Sequence, residues 1–189
     1  RKSNNFSIFS PSLKKMVLLK REEGQALNEY NAYEGLLEKF EPGISFNKLD
    51  EMFGRMRPRL IKLRKRVLAS GIITKPLCMD FDEQKQMKLA KELARTFGLD
   101  FNRSRIDKAV HPFSSGTGSD VRLTTRTSIT DPFNCIYSTI HEVGHACYDQ
   151  NIDKNYILTA LGQGASNGVH ESQSRLFECQ LGRSRPFTD

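Results

Sequence analysis

Cysteine is scarce in this chain of 189 residues, and the cysteines that are present form no pattern. They are widely scattered, and no two of them make a CxxC pair. A disulfide-stabilised domain needs a denser, paired arrangement, so we expect free thiols in a reducing compartment. The positions are Cys78, Cys135, Cys147 and Cys179.

Long apolar runs are also missing. No uncharged apolar run reaches the roughly 18 residues that a membrane span requires, and the longest uncharged stretch, 155–169, is interrupted by three glycines. The first residues, RKSNNFSIFS, contain no apolar core of a signal peptide. The segment GQGASNG at 162–168 lacks both GK[ST] and a complete GxGxxG, so it does not predict a phosphate-binding loop. We expect no membrane partner.

Positive charge is in excess, with 29 lysines and arginines against 22 acidic residues and a net charge of +7. The densest basic run, RMRPRLIKLRKR at 55–66, also carries apolar residues at roughly helical spacing. This pattern predicts a helix with one buried apolar stripe and a solvated basic face. Because no aromatic residues are interleaved with the charge, we expect no nucleic-acid partner. The alternative, a basic helical module that binds nucleic acid, would show a steep salt dependence of affinity.

Turn residues, caps and apolar spacing predict a single, mainly α-helical domain over 1–189 with one small element of β-structure. Its three stretches are a helical region at 1–98, a β-hairpin at 99–130 and the metal-binding helices at 131–189. In the hairpin, we expect RIDKAVHPF at 105–113 and DVRLTTRTSIT at 120–130 to be the strands, with SSGTGS between them as the turn.

Helix starts and stops can be assigned from caps and breakers. Ser10 and Pro11 are predicted to open the first helix, and a second helix is predicted over 24–40. Asp131 and Pro132 have the same cap-and-proline pattern and open a helix that runs to about Gln150. The last helix is expected from about Val169 to Leu181.

The predicted helix after Asp131 carries the sequence HEVGH. His141 and His145 are four residues apart, so they share one helix face and can direct their imidazoles at one point. Zinc binds imidazole nitrogen, and a catalytic zinc site uses three protein ligands plus a water. Glu142 projects in an adjacent direction and can reach that water as a general base. The alternative is a helix that carries two ordinary surface histidines.

A third ligand would have to come from elsewhere in the chain, and the candidates are His111, His170 and Glu171. A glutamate on a second helix packed against the first suits a site made of two histidines and one glutamate, which favours Glu171. Asp149 and Asp153 follow the first helix too closely to turn back over its histidine face.

Four short motifs in this chain occur in the same order and at the same spacings in one family, the M32 metallocarboxypeptidases represented by carboxypeptidase Taq. They are HPF (111–113), DVRLT (120–124), HEVGH (141–145) and HESQSR (170–175). The earlier segment LLEKFEPG (36–43) also looks like the helical region of that family. The chain resembles the family along essentially its whole length.

This resemblance implies a helical zinc-peptidase fold with a small sheet beside the active-site helix. It implies a cytosolic homodimer that removes single C-terminal residues from peptides. Carried over by position, His141, His145 and Glu171 would hold Zn²⁺ or Co²⁺, and Glu142 would activate the water. Two later family motifs, [IV]RxxAD and GxxQDxHW, do not occur here. We therefore expect a central fragment or truncated form, and the alternative to an active carboxypeptidase is a weak or inactive metal-binding remnant.

An exopeptidase must also bind the free carboxylate of its substrate, which suits the bidentate fork of arginine. Arg122 is the first candidate, Arg126 the second, and an ion pair with Asp120 is the alternative for Arg122. His111 is a candidate for hydrogen bonding to substrate or could instead cap the hairpin. Arg175 could orient the Glu171 carboxylate or form a surface ion pair.

Overall fold

The computed structural model describes residues 5–75 and 77–189, and residues 1–4, part of the stretch inspected for a signal peptide, lie outside this range. The helices in this range are α1 (Phe6–Leu27), α2 (Ala32–Phe40), α3 (Phe46–Ala69), α4 (Glu83–Thr96), α5 (Pro132–Gln150), α6 (Asn167–Arg175) and α7 (Arg185–Thr188). The strands are β1 (Ser104–Lys108), β2 (Phe113–Thr117) and β3 (Asp120–Thr125). The prediction of a mainly α-helical fold with a small sheet is confirmed. None of these helices combines the length and apolarity that crossing a membrane requires.

The chain separates into two compact units, 1–73 and 74–189. In the first unit, α1 and α2 approach each other at two glycines. A Cβ atom at Gly24 would lie 2.3 Å from the carbonyl oxygen of Ala32, and one at Gly35 would lie 2.6 Å from the carbonyl oxygen of Gly24. Any side chain at these positions would collide with backbone, so the absence of side chains allows the contact. The single domain predicted over 1–189 stays a prediction.

The first helix begins earlier than predicted. It starts at Phe6, and the side chain of Asn5 caps it by accepting a hydrogen bond from the Ser7 amide at 3.1 Å. Ser10 and Pro11 therefore lie inside α1 and not at its start. The cap-and-proline pattern was matched at the wrong position because Asn5 supplies an earlier cap.

The helix predicted over 24–40 is wrong as a continuous element. The side chain of Asn28 accepts hydrogen bonds from the amides of Tyr30 and Asn31 and so forms a turn. Asn31 then caps α2 through its own side chain. Asparagine side chains offer the backbone an alternative to helical hydrogen bonds, and here two of them separate α1 from α2.

The basic helix α3 does not bury an apolar stripe, and this prediction is wrong. No residue of α3 is buried. The apolar side chains that were expected to form the stripe are between 46% and 66% exposed, because no described element covers them. They are Leu60, Ile61, Leu63, Val67 and Leu68.

The second unit contains a three-stranded sheet in the order β1-β3-β2. β2 and β3 form the antiparallel hairpin, and β1 pairs with β3 in parallel. The predicted hairpin within 99–130 is therefore present but shorter than expected. Of its first strand, predicted at 105–113, four residues belong to β1 and Phe113 begins β2, and four of the six residues of the predicted turn lie in β2. Pro112, which has no amide hydrogen, separates the two strands.

The core of the second unit lies between the sheet and α5. Val121 and Leu123 alternate along β3 with exposed residues and pack in one buried cluster with Val143 and Cys147 of α5. Cys147 is thus a core residue, and burial raises the pKa of its thiol to about 11. All four cysteines are free thiols.

The start of α5 follows its predicted cap. The Asp131 side chain accepts a hydrogen bond from the Asn134 amide at 3.3 Å, and Pro132 occupies the first helical position. Both features fix the beginning of the helix. The buried residues of α5 pack against the sheet, and the half-buried histidines of HEVGH lie beside the core and not in it.

Candidate metal centre

The two histidines of α5 point their rings towards one place. His141 and His145 lie one helical turn apart, with ring centroids separated by 5.0 Å. Their Nε2 atoms lie 3.6 Å and 3.2 Å, respectively, from Oε2 of Glu171. The three predicted metal ligands are therefore brought together from two helices.

Glu171 reaches the histidines because α6 crosses α5 at a glycine. A Cβ atom at Gly144 would lie 2.7 Å from the Cα atom of Ser174 and 2.8 Å from the carbonyl oxygen of Gln173. Real Cβ atoms do not approach backbone this closely, so the contact depends on the missing side chain. The glycine of HEVGH thus sets the distance between the helix that carries the histidines and the helix that carries the glutamate.

The other candidates for a third ligand do not join this group. His111 lies in the exposed loop between β1 and β2. The Nε2 atom of His170 lies 3.1 Å from Oδ1 of Asp149, and its ring stacks on that of His145 with centroids 4.4 Å apart. In the described part of the chain, the α5 histidines and Glu171 are the one group of three such residues whose ligand atoms converge, all within 4.8 Å.

The chemistry of these donors and their two distances to Glu171 suit a bound metal ion. Ligand atoms bound tetrahedrally at about 2.0–2.1 Å are about 3.3 Å from one another. The two distances to Glu171, 3.2 and 3.6 Å, lie on either side of this value. Burial and the positive charges of His170 and His141 lower the pKa of His145, which favours the neutral form that a metal ligand needs.

Glu142 lies next to the cluster on the same helix. It is 7% exposed, and with His141 it lines an open cavity of about 660 Å³. Burial, reinforced by the negative charge of Glu171, raises the pKa of Glu142 to about 7. A carboxyl group with this pKa can both accept and release a proton near neutral pH.

A further glutamate, Glu178, holds the other side of the His141 ring and was missed in the sequence. Nδ1 of His141 lies 3.0 Å from Oε2 of Glu178, and Arg183 donates to Oε1 at 2.9 Å. Burial acts to raise the pKa of Glu178, but hydrogen bonds from Arg183 and His141 outweigh it and hold the pKa below its usual range. Its spacing from Glu171, seven residues or two helical turns, was the signal that could have found it.

The Glu171 carboxylate is itself held in place. Arg175 donates to Oε1 at 2.9 Å, and the buried Ser174 hydroxyl donates to Oε2 at 3.1 Å. Burial opposes ionisation of Glu171, but these hydrogen bonds lower its pKa. Arg175 therefore forms an exposed ion pair with Glu171, and its role in orienting this carboxylate stays a prediction.

Arg122 does not approach the cluster. Its Nε and one terminal nitrogen donate to the two carboxylate oxygens of Asp120 at 2.6 and 2.8 Å. It alternates along β3 with Val121 and Leu123, which face α5, so Arg122 lies on the opposite face of the sheet. The ion pair with Asp120 is therefore present, and a role for Arg122 in binding substrate stays a prediction.

Arg126 lies closer to the cavity than Arg122 does. Its Nε donates to the side-chain oxygen of Asn134 at 2.8 Å, and Asn134 lines the cavity beside Glu142. His111 accepts a hydrogen bond from the Thr124 hydroxyl through its backbone carbonyl. Its predicted contact with substrate is not tested by this geometry.

Known proteins resemble the chain over its full length. The model of the family described as carboxypeptidase Taq (M32) metallopeptidase matches residues 1–189. The chain is 40% identical to carboxypeptidase 1 of Bacillus subtilis, with 97% of the chain aligned. It is 34% identical to thermostable carboxypeptidase 1 of Pyrococcus furiosus, with 98% aligned. In each case the alignment covers 38% of the relative.

Solved structures of M32 carboxypeptidases also resemble the chain. The M32 carboxypeptidase from Deinococcus radiodurans R1 aligns with a TM-score of 0.85 and 36% identity. The alignment covers 97% of this chain and 38% of that structure. The chain thus spans about two fifths of the length of the relatives that it matches.

Proposed function

This chain belongs to the carboxypeptidase Taq (M32) family of metallopeptidases, and on that premise we propose that it acts as a zinc-dependent carboxypeptidase. Its reaction would be hydrolysis of the last peptide bond of a peptide substrate. The observation that supports this proposal best is the convergence of two histidines and a glutamate beside a buried second glutamate.

In this proposal, His141, His145 and Glu171 hold the metal, which is Zn²⁺ or alternatively Co²⁺. When bound, such an ion acts as a Lewis acid that polarises the scissile carbonyl and makes water more acidic. Three protein ligands leave a position open for water or substrate, as catalytic zinc sites do. Arg175 and Ser174 orient the carboxylate of Glu171 through the hydrogen bonds described above.

Glu142 is proposed as the general base. Its carboxylate accepts a proton from the attacking water and then delivers that proton to the nitrogen of the leaving amino acid. The side chain is buried next to the ligands and lines the cavity, so it can exchange a proton with a group bound there. A pKa of about 7 suits this exchange, because proton transfer is most efficient when the pKa lies near the working pH.

The remaining predictions from the sequence belong to the same proposal. Arg122, with Arg126 as the second candidate, would bind the terminal carboxylate of the peptide, and His111 would contact the substrate. A homodimer in the cytosol is expected by analogy with the family. These assignments rest on the resemblance and on the chemistry of the side chains.

Metal analysis combined with a peptide-shortening assay tests the proposed function. We expect one zinc or cobalt ion per chain and release of single residues from the C-terminus of a peptide. Bound metal without any shortening would identify the alternative, a metal-binding remnant. Absence of bound metal from protein that is folded and supplied with zinc would contradict the metal site.

A further inference from the structure

The position of Glu178 allows it to determine which ring nitrogen of His141 faces the metal site. The two ring nitrogens of His141 are contacted by two different glutamates. Nε2 lies 3.6 Å from Glu171, and Nδ1 lies 3.0 Å from Glu178. An ionised carboxylate can only accept a hydrogen bond, so Nδ1 must carry the hydrogen in this contact. In the neutral ring, Nε2 is then left with its lone pair directed at the site.

The helix that carries Glu178 is shaped to make this contact. After α6 the chain continues through one π-helical turn, Leu176–Leu181. Glu178 lies within that turn and on the same side as Glu171, seven residues earlier. Its side chain is 13% exposed, so water competes little for the carboxylate.

Two arginines complete the surroundings of this carboxylate. Arg183 donates to Oε1 at 2.9 Å, and Arg175 donates to Oε2 at 3.3 Å. Arg175 also donates to Glu171, so it links the carboxylates on the two sides of His141. The arginines compensate the charge of Glu178 and fix its orientation. Because a carboxylate oxygen has two lone pairs, Oε2 can accept from both Arg175 and the imidazole.

We propose that Glu178 is a positioning residue that holds His141 in the Nδ1–H tautomer and thereby presents Nε2 to the metal. The inference rests on the proposed function for the identity of the metal site, but the tautomer can be measured without metal. Carboxylates that orient a ligating histidine in this way typically change metal affinity by about 10–100-fold when removed.

The first experiment measures zinc affinity of the whole chain by competition with a chromophoric chelator. Glu178→Ala should lower zinc affinity by about 10–100-fold, and Glu178→Gln, whose amide oxygen still accepts a hydrogen bond, should lower it less. Glu92→Ala is the matched control, because Glu92 also pairs with an arginine three residues away but lies on α4. It should leave zinc affinity unchanged.

The second experiment uses nitrogen NMR of the metal-free chain, at a pH well above the ordinary histidine pKa. In the unchanged protein, His141 should show the Nδ1–H tautomer. In Glu178→Ala it should show a mixture of tautomers, whereas Arg183→Ala should keep the single form because the carboxylate remains. A general loss of structure would alter the signals of all histidines, and this variant set separates that effect from a local one.

The two experiments distinguish failure of this inference from failure of the proposed function. If the unchanged chain binds zinc and Glu178→Ala binds it equally well, the inference is overturned and the metal site stands. If the unchanged chain binds no zinc, the proposed function fails, and the tautomer of His141 still decides the inference. A single Nδ1–H tautomer that persists in Glu178→Ala would overturn it.

Discussion

Replacing Gly144 by alanine should weaken metal binding more than it weakens the fold. The added methyl group would lie 2.7 Å from the Cα atom of Ser174 and 2.8 Å from the carbonyl oxygen of Gln173. Both are backbone atoms of α6, so neither can rotate away, and carbon atoms need about 3.5–4.0 Å. Helix α6 must therefore move away from α5 by about 1 Å.

Two opposing effects set the change in stability. Alanine is more favourable than glycine in a helix interior by about 0.8–1.0 kcal/mol. Overpacking typically costs about 1–3 kcal/mol. The free energy of unfolding should therefore fall by about 0–2 kcal/mol, a loss that leaves most small domains folded.

The metal site tolerates this movement of α6 much less than the fold does. Glu171 lies on α6, and its Oε2 is only 3.2 Å from Nε2 of His145. A shift of about 1 Å exceeds the roughly 0.2 Å within which metal–ligand distances are held. We expect zinc affinity to fall at least about tenfold, as it does for changes that merely disturb the orientation of a ligand.

Zinc affinity by chelator competition and denaturant unfolding of the metal-free chain measure the two effects separately. Gly54→Ala is the matched control, because a Cβ atom there meets nothing within 4 Å. It should raise stability by about 0.8–1.0 kcal/mol and leave zinc affinity unchanged. If Gly144→Ala binds zinc as tightly as the unchanged chain does, the close crossing of the helices is not what positions Glu171.

Four further substitutions test the remaining assignments. Glu171→Ala should lose zinc, whereas Glu142→Gln should keep zinc and lower turnover by about 10²–10⁴-fold. Metal analysis of both variants checks the zinc content, and the opposite pattern of zinc loss would reverse the two roles. Arg122→Ala should raise KM for peptides if Arg122 binds the terminal carboxylate, and unchanged kinetics would leave only its ion pair with Asp120. Asp131→Ala removes the cap of α5 and should lower the free energy of unfolding by about 0.5–2 kcal/mol. Denaturant unfolding measures this change, and an unchanged free energy of unfolding would mean that the cap is dispensable.

The sequence was most informative where one local signal was enough. Asp131 and Pro132 fixed the start of α5, and the four-residue spacing of His141 and His145 fixed their common face. Glu171 was also predictable, since a glutamate opening the next helix was the suitable remaining donor. These features depend on helix geometry and on ligand chemistry, and both can be inferred from short stretches of sequence.

The features that could not be predicted depend on contacts between distant residues. The parallel pairing of β1 with β3 joins a segment that precedes the hairpin to the second strand of the hairpin, and neither segment shows in its sequence which partner it takes. The apolar side of α3 has a normal amphipathic pattern, but a pattern cannot show that nothing in the described chain covers it. The seven-residue spacing of Glu178 from Glu171 could have placed it on the same helix face, but its contact with the ring of His141 depends on the π-helical turn and on another helix.

The burial of two cysteines in α5 protects the metal-binding helix from chemical modification. Thiolates, and not thiols, react with oxidants and alkylating agents. With a pKa of about 11, only about one in 10⁴ molecules has an ionised Cys147 at neutral pH, and burial raises the pKa of Cys135 as well. Cys78 and Cys179 are exposed. A fluorophore or spin label coupled through maleimide will therefore attach to the surface cysteines and leave the helix that carries the histidines unmodified.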